Sequence, residues 1–210
     1  SKALGMPLAK IAARVMAGIS LNEQKILEVP KLNFFNVKEA VMPFEKFQNV
    51  DPILGPEMRS TGEVMGIGKT FEEAFEKAEI AAGVSIPESG SAFISVRNTD
   101  KQFLKEIAED LTQSGFTLVG TKGTVRTLKE LGFESRQINK VLEGRPHIID
   151  LMKNNEISLV INTTEGRESI KDSASIRRTA LEEKICCTTT IQGAVAICKV
   201  TVSYTHLRAH

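Results

Sequence analysis

Apolar residues recur along this chain at two different spacings, and the change from one to the other divides it. Behind Pro7, a residue suited to a first helical position, Leu8, Ile11, Ala12 and Val15 fall at helical spacing, with Gly18 as a terminator. From Val29 to Lys69 the apolar pieces are short and broken by prolines and glycines. That pattern supports only short strands, near Phe34–Phe35 and Val64–Met65, and too little regular apolar surface to fold alone. Thr70 then predicts a helix start, with Glu73 completing a capping box. Phe71, Ala74, Phe75 and Ala78 form its apolar stripe. Gly83 to Ser91, with Pro87, reads as a linker.

Beyond the linker, strands and helices alternate. Strands are predicted at Phe93–Val96, Phe116–Val119, Ser158–Ile161 and Ile185–Thr188, with a weak one near Gln137–Ile138. Between and after them lie helices over Asp100–Ser114 (Leu104, Ile107, Ala108 and Leu111 inward, Gly115 closing), Thr124–Leu131, from Pro146, Ser175–Glu183 and Ile191–Val200. This order means an α/β fold: a small, doubly wound parallel five-stranded sheet covered on both faces. The expected domains are 1–83, 88–200 and a tail, 201–210, without helical periodicity.

Composition changes this picture little. The 210 residues are 41% hydrophobic and 25% charged, with a net charge of +1. That balance, with no Lys/Arg block, argues against nucleic-acid and anionic-membrane partners. One Tyr and no Trp leave little for base stacking. No apolar run approaches a membrane span. The three cysteines (Cys186, Cys187 and Cys198) match no metal spacing and read as reduced, buried thiols of a cytoplasmic protein. The chain starts at Ser1 and enters a helix almost at once, as a piece of something longer would.

The candidate chemistry sits at strand carboxyl ends, where open α/β sheets bind ligands. Thr121-Lys122-Gly123-Thr124 follows one strand and opens a helix; Asn162-Thr163-Thr164 follows another. Lys101 lies just past the first strand and Lys140 past the weak one. Ammonium groups, hydroxyls and free N–H groups suit a phosphate-bearing ligand. Thr and Gly also make ordinary β–α turns and helix caps, and for any single loop that reading is at least as good. Convergence of all of them on one edge favours an anion site. No catalytic acid, base or nucleophile accompanies them at a telling spacing. His147 has no carboxylate partner at such a spacing and reads as a turn or surface His. Arg145 reads as an interdomain salt-bridge residue.

Several separate motifs resemble the large subunit of carbamoyl phosphate synthetase. Leu54 to Gly66 (Leu-Gly-Pro-Glu-Met-Arg-Ser-Thr-Gly-Glu-Val-Met-Gly) is similar to a signature near the end of that family's second ATP-grasp unit. Pro7–Ala12, Val15–Gly18 and Val37–Phe44 match as well. Lys140–His147 and Ile161–Thr164 resemble its carboxyl-terminal, methylglyoxal-synthase-like regulatory domain. The likeness runs from Ser1 to about Val200, while Thr201–His210 departs from the family and resembles read-through of a cloning or adapter sequence.

The resemblance implies that the parent enzyme, a cytoplasmic ligase serving pyrimidine and arginine biosynthesis, makes carbamoyl phosphate. Its substrates are bicarbonate, glutamine-derived ammonia and two ATP, with Mg or Mn, and it works with a glutaminase small subunit and as a homo-oligomer. The ATP- and metal-binding carboxylates would precede Ser1, so residues 1–83 are an incomplete ATP-grasp remnant, expected to bind no cofactor and to be inactive alone. The regulatory domain would bind nucleotides such as UMP and IMP. The family's nucleotide contacts carry over onto Lys101, Thr121, Thr124, Lys140, Asn162 and Thr164, and its ornithine contacts onto Glu39 and Thr189. Cys187 stands where bacterial relatives tend to have an aromatic. The alternatives are a free-standing nucleotide-binding module and a methylglyoxal-synthase-like lyase. The lyase needs a Gly-Gly-Asp loop, and the corresponding stretch here is Gly144-Arg145-Pro146-His147-Ile148-Ile149-Asp150.

Overall fold

The computed structural model describes residues 1–44, 59–141, 143–164 and 173–208, the last four of these as backbone only. Leu54–Met58 of the signature stretch, Leu142, and residues 209–210 of the tail lie outside them.

In the first half, helix α1 (Leu8–Met16) follows Pro7, which takes the capping position one residue earlier than expected. None of its residues is buried. Strands β1 (Phe35–Val41) and β2 (Gly62–Gly68) are each longer than the short pieces the apolar pattern suggested. They pair antiparallel, from Phe35 opposite Gly68 to Val41 opposite Gly62. Pairing and the Lys38–Glu63 ion pair hold segments that lack a strong alternation of their own.

Helix α2 (Phe71–Ala81) lies across this ribbon, with Ala74 and Ala78 fully buried. Gly66 explains the close approach: a Cβ there would stand 1.9 Å from the Ala74 carbonyl oxygen. The start of α2 departs from a strict capping box. Thr70 Oγ1 accepts from the Glu73 N–H at 3.2 Å, but the Glu73 carboxylate accepts from the Lys69 N–H at 2.7 Å rather than from Thr70.

The second half is a five-stranded, all-parallel sheet. Its strands are β3 (Gly90–Ser95), β4 (Phe116–Gly120), β5 (Arg136–Gln137), β6 (Leu159–Asn162) and β7 (Cys186–Thr188). Their order is β5-β4-β3-β6-β7, so the first strand in sequence is central. Ala92 of β3 lies level with Leu118 on one side and Leu159 on the other. Because helices cover both faces, the strands are apolar on both. Ala92, Ile94, Leu118, Leu159 and Ile161 pack on α3 (Leu104–Gln113) and α7 (Ile191–Arg208). Phe93, Val119 and Val160 face α5 (Ile148–Lys153) and α6 (Ala174–Glu182). Helix α4 (Lys122–Glu130) completes the first face through Leu128.

Most helix boundaries shift by a residue or two from the sequence expectation; three differences bear on the site or the tail. The stretch expected as helix from Asp100 begins as a 3₁₀ turn over Asn98–Phe103. Helix α4 starts at Lys122, inside the polar loop rather than after it. The final helix does not stop at Val200. It runs on to Arg208, 18 residues in all from Ile191. Thr201 is fully buried, donates to the Cys198 carbonyl at 2.7 Å and meets Ser114 Oγ at 3.3 Å. Tyr204 donates to Glu76 of α2 at 2.7 Å. The expectation of a non-helical tail is therefore corrected: tertiary contacts with α2 and α3 hold the extra turns where intrinsic periodicity is weak.

Candidate functional site

Strand order fixes where a site can form. β3 sends its chain to one side of the sheet (β4, then β5), and β6 and β7 lie on the other. The connections after β3 and β6 therefore diverge and leave a crevice at their carboxyl ends. A cavity of about 610 Å³ opens there. Its lining includes Lys101, Thr121, Thr124, Lys140, Asn162 and Thr164, all six of the residues selected at strand ends.

Several elements position them. Lys101 lies in the 3₁₀ turn after β3, and its ammonium is 3.8 Å from where a Cβ on Gly123 would sit. Gly123 thus keeps the first turn of α4 open to the cation. Thr121 is the N-cap of α4, yet its side chain makes no capping hydrogen bond, and the helix has no acidic residue in its first turn. The turn-and-cap reading of this threonine is therefore not what the geometry gives: the hydroxyl and the leading N–H groups of α4 remain available. Thr124 is almost wholly buried in that turn. A helix N-terminus with nearby ammonium and hydroxyl groups attracts an anion.

Across the crevice, Asn162 ends β6 with 2% of its surface exposed. Its amide Nδ2 is buried and has no hydrogen-bond partner among the described residues. A buried donor left unpaired costs about 1–3 kcal/mol, and the unfilled valence is at the cavity wall. Thr163 is tied in structurally, its hydroxyl accepting from the Arg97 N–H at 3.1 Å, which links the loops after β3 and β6.

Thr163 of the expected loop, and residues that the sequence reading did not select, complete the walls. Ser95, Arg97, Thr163, Ser173 and Glu143 line the cavity with the apolar side chains of Phe93, Val141, Ile148 and Ile176. Position was the available signal for Ser95 and Arg97, which sit at the end of β3. The apolar floor carried none, since those residues read as core. Arg97 Nε contacts Asp100 at 2.8 Å, which fixes the start of the 3₁₀ turn.

His147 and Arg145 behave differently from expectation. His147 has a carboxylate partner at i+3: its N–H donates to Asp150 Oδ2 at 3.0 Å, and its ring Nδ1 lies 3.2 Å from the same atom. That N–H bond, together with Arg145, holds the Asp150 carboxyl below its ordinary range. Arg145 makes this local contact, Nε to Asp150 Oδ1 at 3.7 Å, in place of the interdomain bridge. Asp150, the acid of the stretch corresponding to the lyase loop, caps α5 and does not line the cavity.

The ornithine candidates lie apart from these groups. Glu39 is half-buried in β1 and Thr189 is exposed after β7. No hydrogen bond or ion pair joins them among the described residues. Glu79 of α2 lies near Glu39 and near Cys186 of β7. Burial, with the Glu39 carboxylate as a smaller cause, raises it to about 7, and its charge acts in turn on Cys186. Burial pushes the thiols of Cys186 and Cys187 up to about 12 and that of Cys198 higher still, which favours the thiol form at all three; Cys186 and Cys198 are buried and Cys187 half-buried.

Comparison with known proteins agrees with this architecture. The family model of the MGS-like domain matches residues 104–189. The chain is 58% identical over 199 residues to the carbamoyl phosphate synthase large chain of Pseudomonas aeruginosa, covering 95% of this chain and 18% of that protein. It is 55% identical to the large chain of Xanthomonas axonopodis pv. citri over 197 residues, and 54% to that of Vibrio parahaemolyticus over 198; each alignment covers 94% of this chain and 18% of the relative. The chain thus spans less than a fifth of the length of these relatives. With an all-parallel sheet whose order brings the crevice to the MGS-like half, and with this identity across both halves, the chain belongs to the carbamoyl phosphate synthase large-chain family.

Proposed function

We propose that the sheet domain is a nucleotide-effector module, binding a nucleoside monophosphate such as UMP or IMP in the switch-point cavity. The observation that carries this reading is the unpartnered Asn162 Nδ2, buried opposite the Lys101 ammonium and the uncapped first turn of α4. The phosphate goes to Lys101, Thr121, Thr124 and the α4 N–H groups. Asn162 and Thr164 meet polar atoms of the nucleoside, and Lys140 adds charge at the rim. Phe93, Ile148 and Ile176 give the base an apolar wall in place of aromatic stacking.

The wider role follows from the family: this module regulates a cytoplasmic synthase that makes carbamoyl phosphate with a glutaminase partner, as part of a homo-oligomer. That enzyme uses ATP with Mg or Mn. Among the described residues no group of three or more His, Cys, Asp and Glu could hold a metal ion, and no step through one is assigned to them. Glu39 and Thr189 remain the ornithine candidates. No helix among the described residues is long and apolar enough to cross a membrane.

Calorimetric titration of the 210-residue chain with UMP and with IMP tests the proposal. Saturable binding that weakens about ten- to a hundredfold in Lys101→Ala is expected, the size of one lost charge-assisted hydrogen bond. No binding of either nucleotide, or equal binding by the variant, would overturn it.

A further inference from the structure

One side chain in the cavity has the wrong sign for a phosphate. Glu143 is the only carboxylate lining it among the described residues, where the other polar groups are cations, hydroxyls and amides. Glu143 lies in the loop between β5 and α5. Its own N–H donates to the Lys140 carbonyl at 3.0 Å, and its Oε2 accepts from the Lys140 N–H at 3.1 Å. The loop therefore holds this side chain in a defined place. One bond from a neutral N–H uses a fraction of a carboxylate's accepting capacity, which spans both oxygens. No cation pairs with Glu143 within 4 Å among the described residues.

We infer that Glu143 is a specificity-determining residue of this cavity: it accepts hydrogen bonds from the ribose hydroxyls of the bound nucleotide and selects ribo- over 2′-deoxyribonucleotides. This rests on the nucleotide reading above and adds to it. The argument is one of matching donors. A nucleoside monophosphate offers two kinds of hydrogen-bond donor, the sugar hydroxyls and the base N–H groups. The phosphate belongs at Lys101 and Gly123, and the base against Phe93, Ile148 and Ile176 in the interior. The sugar lies between these ends. Glu143 is exposed at the rim, flanked in sequence by Lys140 and Val141, which also line the cavity. A vicinal pair of hydroxyls facing outward meets it there, and O–H···O⁻ bonds are among the stronger kind.

The test compares UMP with its 2′-deoxy counterpart, which differs by one hydroxyl, on the full chain and on Glu143→Ala and Glu143→Gln. The wild-type chain should prefer UMP by about 10- to 100-fold, the effect of one hydrogen bond to a charged group. In Glu143→Ala the preference should fall to within about threefold, through weaker UMP binding with the deoxynucleotide little changed. Glu143→Gln keeps an oxygen for the Lys140 N–H, and so keeps the loop, while losing the charge. Its preference should be intermediate, which serves if the alanine variant folds poorly.

Equal wild-type affinity for the two nucleotides would overturn this inference and leave the nucleotide site standing. Equal weakening of both in Glu143→Ala would make Glu143 a loop support only, and equal strengthening would make it a repulsive charge; either result overturns the role in ribose selection. Failure of the wild-type chain to bind any nucleotide would instead remove the functional reading beneath it.

Discussion

Replacing Asn162 by Leu should separate ligand binding from folding. The side chain is 2% exposed at the end of β6, and its Nδ2 has no partner among the described residues. In the empty protein that donor carries an uncompensated desolvation cost of about 1–3 kcal/mol. Leu is close in volume and removes the polar atoms, so the empty variant should be as stable as wild type or more stable by up to about that amount. With nucleotide bound the same donor gains a neutral partner on the nucleoside, and its loss should weaken binding by about 0.5–1.5 kcal/mol, or about 2- to 12-fold in Kd.

Two measurements are needed on each protein: urea unfolding without ligand, and the rise of Tm with nucleotide concentration. A ligand that binds only the folded state stabilises it by RT ln(1 + [L]/Kd), so the variant's Tm response should move to higher concentration by the factor lost in Kd. The opposite pairing, a variant destabilised by several kcal/mol whose affinity is unchanged, would refute the reasoning. It would mean that the Asn162 amide supports the β6 loop and does not serve the cavity.

Other outcomes follow from the same structure. Lys140→Ala should weaken UMP binding about tenfold, and added salt should shrink the difference, since the group is exposed at the rim; titrations at two ionic strengths check this. Glu79→Gln should flatten the pH dependence of stability. The folded-state value of Glu79 is raised to about 7 from 4.5, so its contribution is present below pH 4.5 and is lost as pH rises through 7. The variant should therefore gain on wild type at pH 8 relative to pH 5 in thermal melts, and a constant difference across that range would contradict the assignment. Gly66→Ala should destabilise the β1–β2–α2 unit by more than 1 kcal/mol, because its Cβ would lie 1.9 Å from a backbone oxygen that cannot rotate away; chemical denaturation reads this directly. Truncation after Val200 should cost about 1–3 kcal/mol through loss of buried Thr201 and the Tyr204–Glu76 bond, and an effect under about 0.5 kcal/mol would show that these contacts carry no weight.

The sheet domain was legible because its signals are local. Runs such as Phe116–Val119 and Leu159–Ile161 are apolar on both faces, and the polar residues after them mark the ends where ligands gather. Lys101, Thr121, Thr124, Lys140, Asn162 and Thr164 could be chosen on position alone, and they line one cavity. Features set by tertiary contact were less visible. β1 and β2 owe their length to pairing with each other and to α2 packing over Gly66. The last turns of α7 rest on Ser114 and Glu76, distant in sequence. His147 looked solitary because its partner sits inside the helix that it caps: Asp150, in the first turn of α5, reaches back to the His147 N–H. The apolar wall of the cavity was hidden for a general reason: Ile148 and Ile176 belong to the buried core and line the cavity with the same side chains.

The buried cysteines make the domain its own stopwatch. Cys186 in β7 and Cys198 in α7 are under 5% exposed, and both are held as thiols far above their ordinary range. A thiol reagent in solution can reach them only when the β7–α7 edge opens. For a domain of ordinary stability, full opening is rarer than closure by roughly four orders of magnitude or more. Labelling of these two residues would therefore be slow and would count openings of that edge of the sheet. Nucleotide bound in the crevice should lengthen the interval between counts if its binding steadies the sheet as a whole, and leave it untouched if the edge frays independently.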